Sequence, residues 1–408
     1  MTPLLEAQTS LDAGSWQDAL DALDDGEPLS PEALELRATA LYGLGDFDRT
    51  VATWEELHLL RCAQDDHAQA ARAAVMVAMF LLIDSGLMSP IRGWLNRARA
   101  HLDDVPEGAT HALVESIAAY ERFFCGDVVG AARAAERAGS LAVAYDVAPA
   151  LAISKTLRAR LLVLDGQVEA GLEALDGVGT LLMSGEIDNL TVGMMLCEII
   201  CAAQSLSMPD LAREWTDVME HWRHGAAIGG INGRCRVHRA ELLRLSGPCE
   251  TAEAEALAAC DALRPWMRRE FGWPLVELGT IRLRKGDLDG AEESFLAADA
   301  LAWSPQPGLA LLRLAQGDVA TAATMIADAV ARPPELPWKE RPPSGDLRLS
   351  PFLDAQSEIA LAAGDTATCV AAAERLLAIA VRFPSRGLAA AAELARARAH
   401  LASGRYDD

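Results

Sequence analysis

The sequence predicts an all-α chain: a solenoid of about ten and a half helical hairpins running from residue 1 to 408 as one domain. Two observations carry this. Turn glycines recur near every 40 residues along the whole chain, and small residues stand at fixed offsets on both sides of each turn. A fixed period of this length is the signature of stacked repeats, in which no unit can bury its apolar face alone.

The turns come first. Gly14, Gly45, Gly86, Gly126, Gly166, Gly247, Gly286, Gly317, Gly364 and Gly404, with Ser207 standing in once, are spaced 31, 41, 40, 40, 41, 40, 39, 31, 47 and 40 residues apart. A glycine here supplies the left-handed residue that ends one helix. The Asp that follows in GDF, GDV, GDL and GDT caps the next one, because its carboxylate accepts from an otherwise unpaired backbone N–H.

The helices on either side follow from packing. Seven residues before each turn, or eight at Gly86, stand Ala7, Ala38, Ala78, Ala119, Ala159, Ile200, Ala240, Gly279, Ala310, Ser357 and Ala397. Five residues after it stand Ala19, Thr50, Ile91, Ala131, Gly171, Ala212, Ala252, Ala291, Ala322 and Cys369. Antiparallel helices approach closely only where side chains are small at the crossing. The run AAVMVAMFLLI (73–83) is too short to span a bilayer and reads as a buried helix of the stack, so no membrane association is expected. RPPELPWKERPPSGDLRLSP (332–351) breaks the period with six prolines and reads as an extended inserted loop or flap carrying Trp338. At LASGRYDD the turn is written but its second helix is not; the repeats are expected to continue past Asp408.

ELGTIRLRKGDLDGAEESFLAA (277–298) resembles a tetratricopeptide repeat, with Leu278-Gly279 in the first helix, Gly286-Asp287 in the turn, and Ala291, Phe295 and Ala298 in the second. The other units match more loosely and run nearer 40 residues than the usual 34. The resemblance implies a right-handed superhelix whose first helices line a concave groove. Tyr120, Phe123, Arg160, Met194, Cys197, Cys201, Gln204, Arg234, Glu241, Arg244, Trp273 and Thr280 then fall on that groove. Of these, Tyr120, Arg160, Gln204, Arg234, Glu241, Arg244 and Trp273 are the candidate binding residues. Arg and aromatic side chains in one groove suit a peptide or protein partner, or a small anionic effector.

More narrowly, RCRVHRAELLRLSG (234–247), the unit around Gly286 and PQPGLALLRLAQGDVATAA (305–323) resemble the repeat region of actinobacterial LuxR-type transcriptional regulators. In that family the solenoid is followed by a helix–turn–helix, so the resemblance implies a sensor region that reaches DNA only through a module not present in this chain. No GxxxxGK[ST] phosphate loop is present either. The alternative is a stand-alone scaffold that binds a partner protein.

Charge agrees. Lys+Arg 36 against Asp+Glu 59 gives a net charge of −23, which repels a phosphate backbone. Twelve of the basic residues fall within 213–285, interleaved with Trp215, Trp222, Trp266 and Trp273. Intramolecular pairing explains them, and a homodimer or a docking surface is compatible with them. Eight cysteines without a CxxC pair, in apolar runs, read as reduced core thiols, and MTPLLEAQTS is no secretory leader; both point to the cytoplasm. His221, His224, Cys235 and His238 imitate a zinc spacing, but RCRVHRAELL reads as an ordinary helix, so no metal and no cofactor is expected. Gly225, Gly229, Gly230 and Gly233 before Arg234 carry little weight as an anion site without a preceding strand. No nucleophile elbow is present, and no catalytic residue is assigned.

Overall fold

A computed structural model describes residues 2–23, 29–223, 230–264, 271–334 and 345–404, and among these every regular element is a helix. The first hairpins are α1 (Pro3–Asp12) with α2 (Trp16–Leu23), α3 (Pro31–Leu44) with α4 (Phe47–Ala63), and α5 (His67–Asp84) with α6 (Met88–Leu102). The middle ones are α7 (Ala109–Phe124) with α8 (Val128–Ala144), α9 (Ala148–Leu164) with α10 (Val168–Leu182), and α11 (Asn189–Ser205) with α12 (Pro209–Arg223). Then come α13 (Gly230–Ser246) with α14 (Cys249–Leu263), α15 (Gly272–Lys285) with α16 (Leu288–Ala300), and α17 (Gly308–Ala315) with α18 (Val319–Ala331). The last pair, α19 (Gly345–Ala363) and α20 (Thr366–Arg382), is followed by α21 (Arg386–Ala402). Each helix packs mainly on its hairpin partner and on the next helix in the chain, as a solenoid requires.

The turn chemistry is the expected one. Gly14, Gly45, Gly86, Gly126, Gly166, Gly286, Gly317, Gly364 and Gly404 all have positive φ, and Ser207 takes the same left-handed conformation at +53°. Only Gly247 does not. Asp46, Asp127, Asp287, Asp318 and Asp365 each accept a hydrogen bond from the backbone N–H three residues on, at 2.8–3.2 Å. The small positions are buried from Ala7 to Ser357 in the first helices and from Ala19 to Cys369 in the second. At Gly279 the fit has no slack: a Cβ there would stand 2.6 Å from the Phe295 ring. Ala397 on α21 is exposed, because no second helix packs on α21 among the described residues.

Two expectations need adjustment. The proline-rich insertion is shorter than its sequence suggests. Residues 335–344, with Trp338, lie outside the described residues, but 345–351 belong to α19, with Pro351 on its exposed face. Leu347, Phe352 and Leu353 are buried in the C-terminal core, and this packing holds the turn that contains the proline. Second, α5 is the one described helix long and apolar enough to cross a membrane by length and composition. It is an inner helix of the stack, with Ala74, Val77, Ala78 and Ile83 at most 1% exposed.

The solenoid also closes on itself. The Ser385 hydroxyl at the start of α21 donates to the Leu206 carbonyl at 2.6 Å, 179 residues away in sequence. Gly387 lies so close to the α11–α12 turn that a Cβ would meet the Ser207 carbonyl oxygen at 1.8 Å. Val163, Val168 and Leu206 belong to the same buried cluster as Phe383 and Leu388. The α20–α21 connection therefore sits on the turns of the fifth and sixth hairpins.

Candidate binding face

This closure changes what the inner wall is. Tyr120, Phe123, Arg160, Cys201 and Arg234 were expected along an open groove; they are 0–4% exposed. The Tyr120 ring packs on Phe123 and Phe124, and its hydroxyl reaches the Met195 sulfur two hairpins away at 3.9 Å. The space left beside it, lined by Ile83, Tyr120, Phe124, Met194 and Glu198, is a void of about 20 Å³, the volume of roughly one water. No effector fits there in this conformation. The curvature of the coil brings first helices two or more hairpins apart into contact, so a wall becomes an interior.

Charged residues in an interior must be paired. Arg160 on α9 forms an ion pair with Glu198 on α11, the two side chains being 4% and 7% exposed, and its guanidinium lies 5.2 Å over the Phe123 ring. Arg234 on α13 donates to the Ile83 carbonyl at 2.9 Å and to Asp84 at 3.3 Å, both at the end of α5. Its side chain is 4% exposed and that of Asp84 1%. Arg234 is therefore committed to the chain's own carboxylate, which removes it as an anion ligand beside the glycines. Burial pushes the Tyr42 and Tyr120 phenols well above their ordinary value, with Asp84 and Glu198 adding to the effect. Both stay neutral at physiological pH.

Farther along, the inner face stays partly open. Gln204, Glu241, Arg244 and Trp273 are half-buried. Gln204 donates to Glu241 at 2.9 Å, and its carbonyl oxygen lies 2.6 Å from His238 Nδ1. The His238 ring meets Trp273 edge-on, with centroids 5.1 Å apart. Arg244 Nε donates to Glu277 at 2.6 Å. These bonds form a ladder from α11 through α13 to α15, with Thr280 half-buried beyond it on α15. Beside it, hydrogen bonds from Cys235 and His238 and the nearby Arg234 charge pull the Cys197 thiol below its ordinary range, against the push of burial.

Five more basic residues of 213–285 pair within the chain: Arg213 with Asp210, Arg236 with Glu255, Arg239 with Glu220, and Arg282 and Lys285 with Glu253. His224, Gly225 and Gly229 lie outside the described residues, as does the side chain of His221, and Cys235 faces the Met219 sulfur at 3.1 Å. Apart from this face, an open cleft of about 580 Å³ lies between the α10–α11 connection and α12, lined by Met183, Ile187, Val192 and Val218.

Three members of the inner wall escaped the sequence reading: Asp84, Glu198 and Glu277. A signal for two of them is present. Asp84 ends the most apolar run of the chain, and Glu198 stands alone inside MLCEIICAA. A carboxylate in such a place has to meet a cation from elsewhere in the fold.

No family model and no curated protein matches the chain. Among solved structures it is similar to a Rap protein complexed with competence and sporulation factor, at 12% identity, 92% coverage of this chain, 99% of that one and a TM-score of 0.52. It is also similar to the APC/C hetero-tetramer Cut9-Hcn1, at 14% identity over 99% of this chain and 81% of that one, TM-score 0.52. The apo form of RapI matches at 9% identity over 94% and 98%, TM-score 0.50. These neighbours are tetratricopeptide-like helical solenoids, and this chain shares that fold. Identities this low speak to the fold alone.

Proposed function

We propose that the chain is a binding scaffold without catalysis of its own, and that it seats a peptide segment, or a small anionic effector, on the inner face of α11, α13 and α15. The half-open ladder of Gln204, Glu241, Arg244 and Trp273 carries this reading. It offers a wettable edge, an exchangeable Arg–Glu pair and an aromatic plane on three successive first helices, where a solenoid presents a continuous surface. Two of the similar structures are described as assemblies, one a Rap protein complexed with competence and sporulation factor and one a hetero-tetramer, which supports the same reading. Within it, the motifs at 234–247 and 305–323 favour the sensor region of a LuxR-type regulator, whose DNA contact would come from a module outside this chain. A stand-alone scaffold is the second reading. Tyr120, Arg160 and Arg234 then act behind the surface, as the seam that sets the curvature. An occupant that prefers a different curvature shifts the population of the closed coil by its differential affinity.

Native mass spectrometry of the purified chain, mild enough to keep non-covalent ligands, tests the seat. The expected result is a co-purified or added peptide whose mass shift disappears in Trp273→Ala and in Arg244→Ala while both variants keep the wild-type helical circular dichroism spectrum at the assay temperature. A ligand retained in both variants places binding elsewhere and overturns the assignment.

A further inference from the structure

Away from the inner face, α4, the start of α5 and the end of α6 bring together His58, Cys62, His67 and His101, a group that the repeat pattern does not require. His58 is buried, Cys62 and His101 are half-buried, and His67 is exposed. The potential ligand atoms of His58, Cys62 and His101 lie within 4.8 Å of one another. The Cys62 sulfur is 3.6 Å from His58 Nε2 and 3.5 Å from His101 Nε2. For a tetrahedral zinc ion, with Zn–S near 2.3 Å and Zn–N near 2.0–2.1 Å, a sulfur and a nitrogen ligand stand about 3.6 Å apart. The two observed separations match a sulfur and a nitrogen ligand of one ion.

The backbone fixes the tautomer of one imidazole. His58 Nδ1 lies 2.9 Å from the Ala70 carbonyl oxygen, which can only accept, so the ring proton is on Nδ1 and Nε2 is left as the ligand atom; the Cys62 sulfur, 3.6 Å from Nε2 and 4.0 Å from Nδ1, lies beside the ring and turns about its χ1 to meet an ion held there. His101 Nδ1 lies 3.3 Å from His67 Nδ1. Donation from His101 to His67 leaves a lone pair on His101 Nε2, 3.5 Å from the sulfur. Two lone pairs and a sulfur then share the single S–H proton, which can satisfy only one of the nitrogens. A cation satisfies all three. A ring N–H held by a backbone carbonyl, or by another outer group, is the usual way a metal-binding histidine is fixed. The Trp94 ring, edge-on to His58 with centroids 5.4 Å apart, closes the apolar side.

We propose that His58 Nε2, Cys62 Sγ and His101 Nε2 form a zinc site, with His67 as the residue that orients His101 and a fourth position facing solvent. One thiolate and two imidazoles suit a borderline-soft divalent ion better than Mg²⁺ or Ca²⁺. Binding releases the Cys62 thiol proton to solvent. The site is independent of the binding face proposed above and joins three helices of two successive hairpins. Its signal in the sequence was a single pair, His58-x3-Cys62, at one-turn spacing on α4.

The test is a Co²⁺ titration of the full, reduced chain, followed by displacement with Zn²⁺. The expected result is one equivalent of tetrahedral Co²⁺ with visible d–d bands and a near-ultraviolet thiolate band, bleached by one equivalent of Zn²⁺. Cys62→Ser removes the thiolate band. His101→Gln keeps that band but weakens Zn²⁺ binding by more than about 10-fold, and the exposed His67→Ala weakens it roughly 10-fold through loss of orientation. Cys235→Ser changes nothing, which separates this site from the cysteines near His238. No thiolate band at saturating Co²⁺, or a band that survives in Cys62→Ser, overturns the proposal. His67→Ala decides the matter even if the inner variants fold poorly, because unchanged affinity in that variant contradicts the assigned geometry.

Discussion

Replacing Arg160 with Ala should be among the most damaging single changes on the inner wall. The guanidinium is 4% exposed, paired with a Glu198 carboxylate that is 7% exposed, and stacked over Phe123. Breaking a buried pair from one side leaves the other charge unpaired and costs about 3–5 kcal/mol. Loss of the cation–π contact adds roughly 0.5–2 kcal/mol. The partner suffers as well as the site, so the damage should spread over α9 and α11 rather than stay at residue 160. Because solenoids open in parts, hydrogen–deuterium exchange resolved by helix is a better readout than a global melt. A loss of 3–5 kcal/mol corresponds to amides in α9 and α11 exchanging roughly 100- to 4,000-fold faster, with α1–α4 near the wild-type rate. The apolar double variant Arg160→Met, Glu198→Leu should recover most of this, since a buried pair replaced by well-packed hydrophobic residues is often neutral or stabilising. Arg160→Ala within about 1 kcal/mol of wild type would refute the reasoning, because an exposed pair behaves that way. A double variant as damaged as the single would refute it equally, since the cost would then lie in packing and not in charge.

Three further outcomes follow from the same contacts. Gly387→Ala should loosen α21 from the α11–α12 turn, at a cost of about 1–3 kcal/mol, because its Cβ would collide with the Ser207 carbonyl. Proteolysis between α20 and α21 would report it. Gly177→Ala, on the exposed face of α10 with nothing within 4 Å, should instead stabilise by up to about 1 kcal/mol; destabilisation there would contradict the packing of α10. Glu253 is held below its ordinary value of 4.5 by hydrogen bonds from Lys285 and Arg282. A depressed carboxylate contributes stability that is present above pH 4.5 and lost as pH falls through the lower folded value. Glu253→Gln should therefore be less stable than wild type at neutral pH and converge with it in acid, as acid-titrated denaturation would show; parallel curves at all pH would contradict the pairing.

The hairpins were legible in the sequence because each rests on local rules. A left-handed turn residue, an Asp cap and a small crossing residue are written within a dozen positions of one another, as at Gly279, Gly286, Asp287 and Ala291. Ser207 shows how far such rules reach: it takes the glycine conformation without being glycine. The pitch of the coil was not legible. It depends on small rotations accumulated over ten interfaces, and no single residue encodes it. Arg160 and Arg234 were therefore placed on the right face but in the wrong medium, expected in a groove and found in an interior. Gln204, Glu241, Arg244 and Trp273 were expected on the same face and are brought together there, half-buried. The residues 345–351 were misjudged for a related reason: six prolines argue locally for a loop, while Leu347, Phe352 and Leu353 find a core that outweighs them.

The closed inner wall is the central claim, and the chain's own cysteines test it most directly. Maleimide labelling of the reduced native protein, resolved by peptide mass spectrometry, compares Cys125, which is exposed, with Cys201 and Cys235, which are 3% and 4% exposed at the seam. The closed coil predicts that Cys125 is modified first and that Cys201 and Cys235 react roughly 100-fold more slowly or less, at the rate of sub-global opening. Modification of Cys201 and Cys235 as fast as Cys125 would mean that the wall is an open groove, and the account of Arg160 and Arg234 as seam residues would be wrong.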